Sequence, residues 1–208
     1  MSAASNPWVS RPQTAPLTQT APTTITPAFG TTGATAPQRG VPAPDSADQL
    51  WTVRQPQAAP LWWIGCHGGA GESSLARLVP QWRAAGHSWP LVASQGAPSL
   101  GVLVARSNVS GLRAAQAAAT QWAAGLVPHV DVVGLVIVAD APGRLPKPLK
   151  ELADLVSGGV PRTWKIPWIE GWRLGEPPDL ANAPRDARRL TDDLTALLSS
   201  GAQRPTTR

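Results

Sequence analysis

The sequence of 208 residues contains no tyrosine, one phenylalanine and a single cysteine, Cys66. A single cysteine excludes an internal disulfide and is typical of a reducing compartment. No apolar run approaches the roughly 20 residues needed to span a bilayer, and residues 1–10 lack the basic and apolar regions of a signal peptide. These absences predict a soluble, cytoplasmic protein with no transmembrane segment.

The charged residues exclude two further classes of site. The formal net charge is +5, but the basic residues are scattered, whereas binding along a nucleic acid needs clustered Arg and Lys. The three histidines lie in unrelated segments and no Cys/His spacing suits a metal, so no metal site is expected. Arg outnumbers Lys by fifteen to three, a bias that favours a GC-rich genome such as an actinobacterial one.

Proline and threonine dominate the first part of the chain, where residues 1–60 contain ten of each. Such a stretch buries too little apolar surface to offset the entropy lost on ordering. We therefore expect a disordered Pro/Thr-rich arm over residues 1–58, one folded domain over residues 59–200 and a flexible tail over residues 201–208.

After the arm, apolar runs alternate with helical patterns. Strands are expected at residues 61–64, 89–93, 101–105, 132–139 and 163–166. The expected helices comprise one with Leu75, Leu78, Val79 and Trp82 on a single face, one capped by Ser110, one over residues 146–156 and a last one carrying Ala187, Leu190, Leu194, Leu197 and Leu198. This alternation predicts an α/β fold with a doubly wound, mainly parallel sheet.

The segment between the first strand and the first helix is rich in glycine. Residues 65–74 read Gly-Cys-His-Gly-Gly-Ala-Gly-Glu-Ser-Ser. Glycines allow the backbone to turn tightly, so that its N–H groups point inward and form a cradle for an anion. The alternative is a structural turn that binds nothing.

Residues 67–74 resemble the deviant Walker A motif of ParA/MinD-type ATPases, which reads Lys-Gly-Gly-x-Gly-Lys-Thr/Ser-Thr/Ser. His67 and Glu72 stand in place of both family lysines, and Cys66 in place of the usual first glycine. Phosphoryl transfer depends on charge neutralisation, so losing these lysines removes a main catalytic contribution. We hypothesise that the Glu72 carboxylate itself occupies the cradle, as a built-in anion.

Three later segments are similar to the same family: residues 102–115, 132–140 and 166–178. In the second segment Asp140 replaces the family's adenine-reading Asn, and Pro167 begins the part that borders the base. Only 27 residues separate Ser74 from Val102, and no Asp or Glu falls between Ser73 and Gln121, so the family's Walker B strand has no counterpart.

The resemblance covers residues 61–198 and implies a P-loop NTPase-like fold that lacks catalysis, a pseudo-ATPase with no catalytic residue. ATP or ADP would bind weakly or not at all. The cofactor-binding residues that it implies are His67, Gly68, Gly69, Ala70, Gly71, Glu72, Ser73, Ser74, Asp140 and Pro167.

Three functions remain open. The first is a regulatory or scaffold component of a larger machine for DNA partitioning, conjugative transfer or secretion, with protein partners and a possible homodimer. The second is a protein that binds ATP as a structural ligand or switch. The third is an NAD(P)-binding Rossmann protein, since Gly65, Gly68 and Gly71 fit a dinucleotide turn, although residues 91–95 lack the acid that the ribose requires.

Overall fold

The computed structural model describes residues 31, 33–93 and 96–202, with side chains as far as residue 200. The strands are β1 (Thr52–Gln55), β2 (Trp62–Gly65), β3 (Arg83–Ala84), β4 (Trp89–Val92), β5 (Ser99–Arg106), β6 (Val130–Val138) and β7 (Thr163–Ile166). The helices are α1 (Glu72–Leu78), α2 (Val109–Ala123), α3 (Lys147–Ser157), α4 (Glu170–Arg173) and α5 (Arg185–Ala202).

Five strands form the main sheet in the order β3-β2-β5-β6-β7, and every neighbouring pair is parallel. The expected α/β class with a mainly parallel sheet is therefore confirmed. The expected strand near residue 89 also exists, but as β4 it pairs with β1 in a separate two-stranded sheet.

The main sheet is covered on both faces, because side chains alternate along a strand. Trp62 and Ile64 of β2 pack into one core cluster with apolar residues of α2 and α3. Trp63, on the opposite face of β2, packs into a second cluster with α1 and α5. Helix α5 contributes Ala187, Leu190 and Leu194 to this second cluster. Continuous apolar strands are what a parallel sheet buried on both faces requires.

The chain leaves the neighbouring strands β2 and β5 in opposite directions. From β2 it passes through α1 to β3 at one edge, whereas from β5 it passes through α2 to β6 and onward to β7 at the other edge. Right-handed crossovers in opposite directions put α1 and α2 on opposite faces. The connections therefore diverge between β2 and β5, the position where open parallel sheets usually bind ligands.

The expected disordered arm differs from the structure over residues 33–58. Leu50 is buried in the first core cluster, Ser46–Asp48 form a 3₁₀ turn and β1 pairs with β4. The backbone of Leu50 both donates to and accepts from the buried Gln121 side chain. Residues 1–30 and 32 lie outside the described part, as do residues 203–208 of the expected tail, and α5 itself continues to Ala202.

Two local expectations were wrong. Helix α1 ends at Leu78, and Val79 is extended because it precedes Pro80. Trp82 therefore lies beyond the helix, edge-on to Trp63, with ring centroids 5.7 Å apart. The cap of α2 is Asn108, not Ser110, since the Asn108 side chain accepts from the Gly111 amide at 2.8 Å.

No helix in the described residues has both the length and the apolar character to cross a membrane.

The Gln121 side chain joins the segment before β1 to the main domain. Its Oε1 accepts from the Leu50 amide at 3.0 Å and from Trp89 Nε1 at 2.8 Å, and its Nε2 donates to the Leu50 carbonyl at 3.1 Å. Replacing it with alanine leaves these buried groups unpaired, so we expect Gln121→Ala to lower the free energy of unfolding by about 3 kcal/mol. Urea unfolding measures this, with exposed Gln116→Ala on the same helix as control. Equal stability of the two variants would contradict this prediction.

Candidate functional site

The loop between β2 and α1 depends on glycine at two positions. Gly69 and Gly71 have φ angles of +76° and +106°, which residues with side chains rarely adopt. In the described part of the chain, the amides of Gly69, Gly71 and Glu72 have no hydrogen-bond acceptor. The loop therefore presents free donors. Because α1 has only seven residues, we expect an anion at this loop to be held by these amides more than by the helix dipole.

His67 ties this loop to the end of β5. Its Nε2 accepts from the Arg106 amide at 3.0 Å, and its Nδ1 lies 2.9 Å from the Gly68 carbonyl oxygen. One neutral tautomer, with the proton on Nδ1, satisfies both contacts. His67 thus acts as a positioning residue within the loop. Among the described residues, no three His, Cys, Asp or Glu side chains gather in a way that could hold a metal.

Arg106 extends the connection to β6. Its Nε donates to the Gly69 carbonyl at 3.1 Å and its Nη1 to the Ala139 carbonyl at 3.0 Å. Both acceptors are neutral, so the guanidinium keeps its full positive charge and further N–H donors. The chain therefore places a fixed cation beside the glycine loop, although both family lysines are missing from the loop itself.

These groups border a cleft of about 610 Å³ at the carboxyl ends of the strands. Seven of the residues expected to bind a cofactor line this cleft: His67, Gly68, Gly69, Gly71, Ser74, Asp140 and Pro167. The three that do not are Ala70, which is buried in the second core cluster, Ser73, which is exposed, and Glu72.

Several residues that line the cleft were not expected from the sequence. They are Arg106, Asn108, Ser110, Val138, Trp168, Ile169, Trp172 and Arg173. Arg106 ends the apolar strand β5, and Ser107 and Asn108 follow it; polar residues at the carboxyl end of a parallel strand signal a ligand site. No comparable signal existed for Arg173, which reaches the cleft because the short helix α4 follows β7.

Glu72 faces the sheet, not the cradle. A Cβ atom added at Gly65 would collide with the Glu72 carboxylate, so this carboxylate lies against the end of β2. Its Oε2 is buried and has no hydrogen-bond partner among the described residues. The hypothesis that Glu72 fills the cradle as a built-in anion was therefore wrong, because the carboxylate packs against Gly65 at the end of β2.

Cys66 lies behind the same loop. Its amide donates to the Val104 carbonyl at 2.8 Å, and its thiol donates to the Ile64 carbonyl at 4.0 Å. Burial raises the pKa of Cys66 to about 12. A backbone hydrogen bond from Val104 to the sulfur lowers this pKa, and the nearby Glu72 carboxylate raises it. The thiol is therefore neutral and unreactive, and Cys66 is a packing residue.

Asp140 lies two residues after the end of β6, and hydrogen bonds that involve its backbone amide fix its position. The Asp140 amide donates to Ser107 Oγ at 3.0 Å, and the Ser107 amide donates to the Val138 carbonyl at 3.0 Å. The Asp140 carboxylate is exposed, and the described residues offer it no hydrogen bond or ion pair. It is the only carboxylate among the described residues that line the cleft.

The sequence profile of a family of unknown function (DUF6668) matches residues 59–187. This match covers more than half of the chain, so the protein belongs to that family. Neither a search of curated proteins nor a search of solved structures gives a significant match.

The contact between Gly65 and Glu72 predicts strong coupling between the two positions. Gly65→Ala forces a methyl group into the carboxylate, so we expect it to lower the free energy of unfolding by about 2 kcal/mol. In a Glu72→Ala background the space is free and the same change is expected to cost close to nothing. A double-mutant cycle followed by urea unfolding measures the coupling. Equal costs of Gly65→Ala in both backgrounds would show that Glu72 does not lie there.

The raised pKa predicts how Cys66 behaves in alkali. The thiol of the unfolded chain ionises near the ordinary value of 9.0, but that of the folded chain stays neutral up to about pH 12, so stability declines with rising pH across this window. In the native protein at about pH 8.5, iodoacetamide should alkylate Cys66 at least about 100-fold more slowly than in concentrated urea. Mass spectrometry follows the reaction, and similar rates in both states would contradict the buried, neutral thiol.

Proposed function

We propose that this member of the DUF6668 family is a catalytically inactive, ParA/MinD-like P-loop protein that holds a nucleotide by its phosphates. The nucleotide acts as a structural ligand or switch, and the protein serves as a regulatory or scaffold component of a larger machine. The observation that carries the proposal is the cleft, which is lined both by Arg106 and by the glycine loop with its free amides.

The charges around the cleft favour a phosphate group. Arg106 lies beside the loop and Arg173 enters from α4, so two permanent cations border one cavity. Arginine suits this task because its planar guanidinium can donate two parallel hydrogen bonds to phosphate oxygens. Asp140 is the one carboxylate among the described residues that line the cleft, so the two arginines outnumber it.

The topology supports a P-loop NTPase-like fold for this domain. The glycine loop joins β2 to α1, and β2 borders the position where the connections diverge. In nucleotide-binding α/β proteins a loop at this position receives the phosphates. The resemblance of residues 67–74 to a deviant Walker A motif is consistent with this placement.

Hydrolysis is not expected. The Glu72 carboxylate stands where the family has its catalytic lysine and turns toward Gly65, so the loop offers no side-chain cation to the transferred phosphate. Ser74 lines the cleft, but Asp140, which follows β6, is the only carboxylate among its described lining residues. Mg²⁺ binding prefers one or two carboxylates beside the phosphates, and the loop side of the cleft supplies none.

Two alternatives, a scaffold without a ligand and a dinucleotide-binding protein, have less support. A scaffold that binds no ligand leaves the free amides and the arginines of the cleft without a role. A dinucleotide-binding protein needs an acid at the carboxyl end of the strand next to the glycine loop. That neighbour is β3, which is followed by Ala85, Gly86 and His87.

Calorimetric titration of the full chain tests the proposal, with ATP, ADP, GTP and GDP as ligands. We expect at least one nucleotide to bind with no release of inorganic phosphate. Arg106→Ala should weaken binding by about tenfold or more, because a charge-assisted contact to phosphate is lost. Arg113→Ala, an exposed arginine on α2 outside the cleft, is the matched control.

Two results would contradict the proposal. One is the absence of heat with every nucleotide from a folded sample. The other is phosphate release that persists in wild-type protein and disappears in Arg106→Ala, since this would make the protein an active enzyme.

A further inference from the structure

A second cavity of about 500 Å³, here called the side cavity, adjoins the cleft. Asn108, Asp140 and Pro167 line both, so the two spaces meet at these residues. The remaining walls of the side cavity are largely apolar and include Ile137 and Leu149. A ligand held by its phosphates in the cleft can therefore extend an apolar, planar group into the side cavity.

Asp140 is the charged residue at the junction of the two spaces. An ionised carboxylate only accepts hydrogen bonds, and two oxygens allow it to accept two parallel ones. The Asp140 carboxylate has no partner among the described residues, and its backbone is fixed through the Ser107 hydroxyl. It is therefore positioned to select a ligand group with two adjacent N–H donors.

The charges of the side cavity narrow the class of ligand further. Arg144, Lys165 and Asp186 also line it: the two cations repel a cationic amine at Asp140, and the four side chains together carry no net charge that would attract one. A neutral ring with paired donors avoids that repulsion. Among nucleobases, guanine carries N1–H and an exocyclic amino group side by side, whereas adenine places an acceptor nitrogen beside its single amino group.

We propose that the side cavity receives the base of the nucleotide and that Asp140 selects guanine over adenine. This inference rests on the proposed function, because the phosphates must first be held in the cleft. It also departs from the adenine preference that the sequence resemblance implies, since an Asn at this position can both donate and accept, but an ionised Asp can only accept.

The test is a calorimetric titration of the full-length protein with GDP, IDP and ADP. We expect GDP to bind about tenfold or more tightly than ADP, the size of effect given by one bidentate contact to a base. IDP keeps N1–H but lacks the amino group, so its affinity should fall between the two. This ligand series uses wild-type protein and does not depend on the folding of any variant.

Asp140→Asn then tests the residue itself. We expect it to reduce the preference for GDP over ADP to about twofold or less, because an amide loses one of the two acceptor sites. Asp192→Asn is the matched control, since Asp192 is an exposed carboxylate on α5 that lines neither cavity. It should leave the preference unchanged.

The outcomes separate this inference from the function on which it rests. Equal binding of GDP and ADP, or a preference that survives Asp140→Asn, overturns guanine selection but leaves nucleotide binding in place. Binding of none of the three nucleotides overturns both.

Discussion

The parallel pairing of β2 with β5 is the constraint on which the site depends. The two strands are in register to Gly65 and Val104, and the ladder continues beyond β2 because the Cys66 amide donates to the Val104 carbonyl. One step later the Arg106 amide donates to His67 Nε2. These hydrogen bonds hold the glycine loop beside the end of β5. Because the connections after β2 and β5 diverge, a space remains between the loop and the residues at the end of β5.

The proposed function assigns to two residues the roles that a single lysine combines in active P-loop enzymes. Here the position of that lysine holds Glu72, which packs against Gly65 at the back of the loop. The positive charge comes instead from Arg106, which is tied to the Gly69 and Ala139 carbonyls. A guanidinium held by two carbonyls can bind an anion, but it cannot follow a phosphate during transfer as a flexible lysine can. This arrangement favours binding without turnover.

Much of the fold could be predicted from the sequence, because strands buried on both faces appear as continuous apolar runs. The expected strand over residues 163–166 matches β7, and residues 132–139 match β6 to within two residues. Strand β1 was missed because its residues are largely exposed and polar, and its pairing with β4 is a tertiary contact. The glycine loop was recognised from its composition, since positive φ angles select glycine.

The site was only partly predictable, because the direction of a side chain is set by packing. The sequence shows that Glu72 belongs to the glycine-rich segment. It does not show that the Glu72 carboxylate packs against Gly65. Arg106 ends an apolar strand and could have been recognised as a site residue. Arg173 and Trp172 reach the cleft because the short helix α4 follows β7. Asp140 was identified from the resemblance, and the side cavity beside it emerged only from the fold.

The proposed function requires that the loop amides and Arg106 together hold the phosphates of a nucleotide. Hydrogen–deuterium exchange of the full chain, measured with and without saturating nucleotide, tests it most directly. With nucleotide bound, we expect slower exchange in peptides that cover residues 67–74 and little change in peptides from β1 and β4. Unchanged exchange in the loop, or protection confined to another surface, would contradict it.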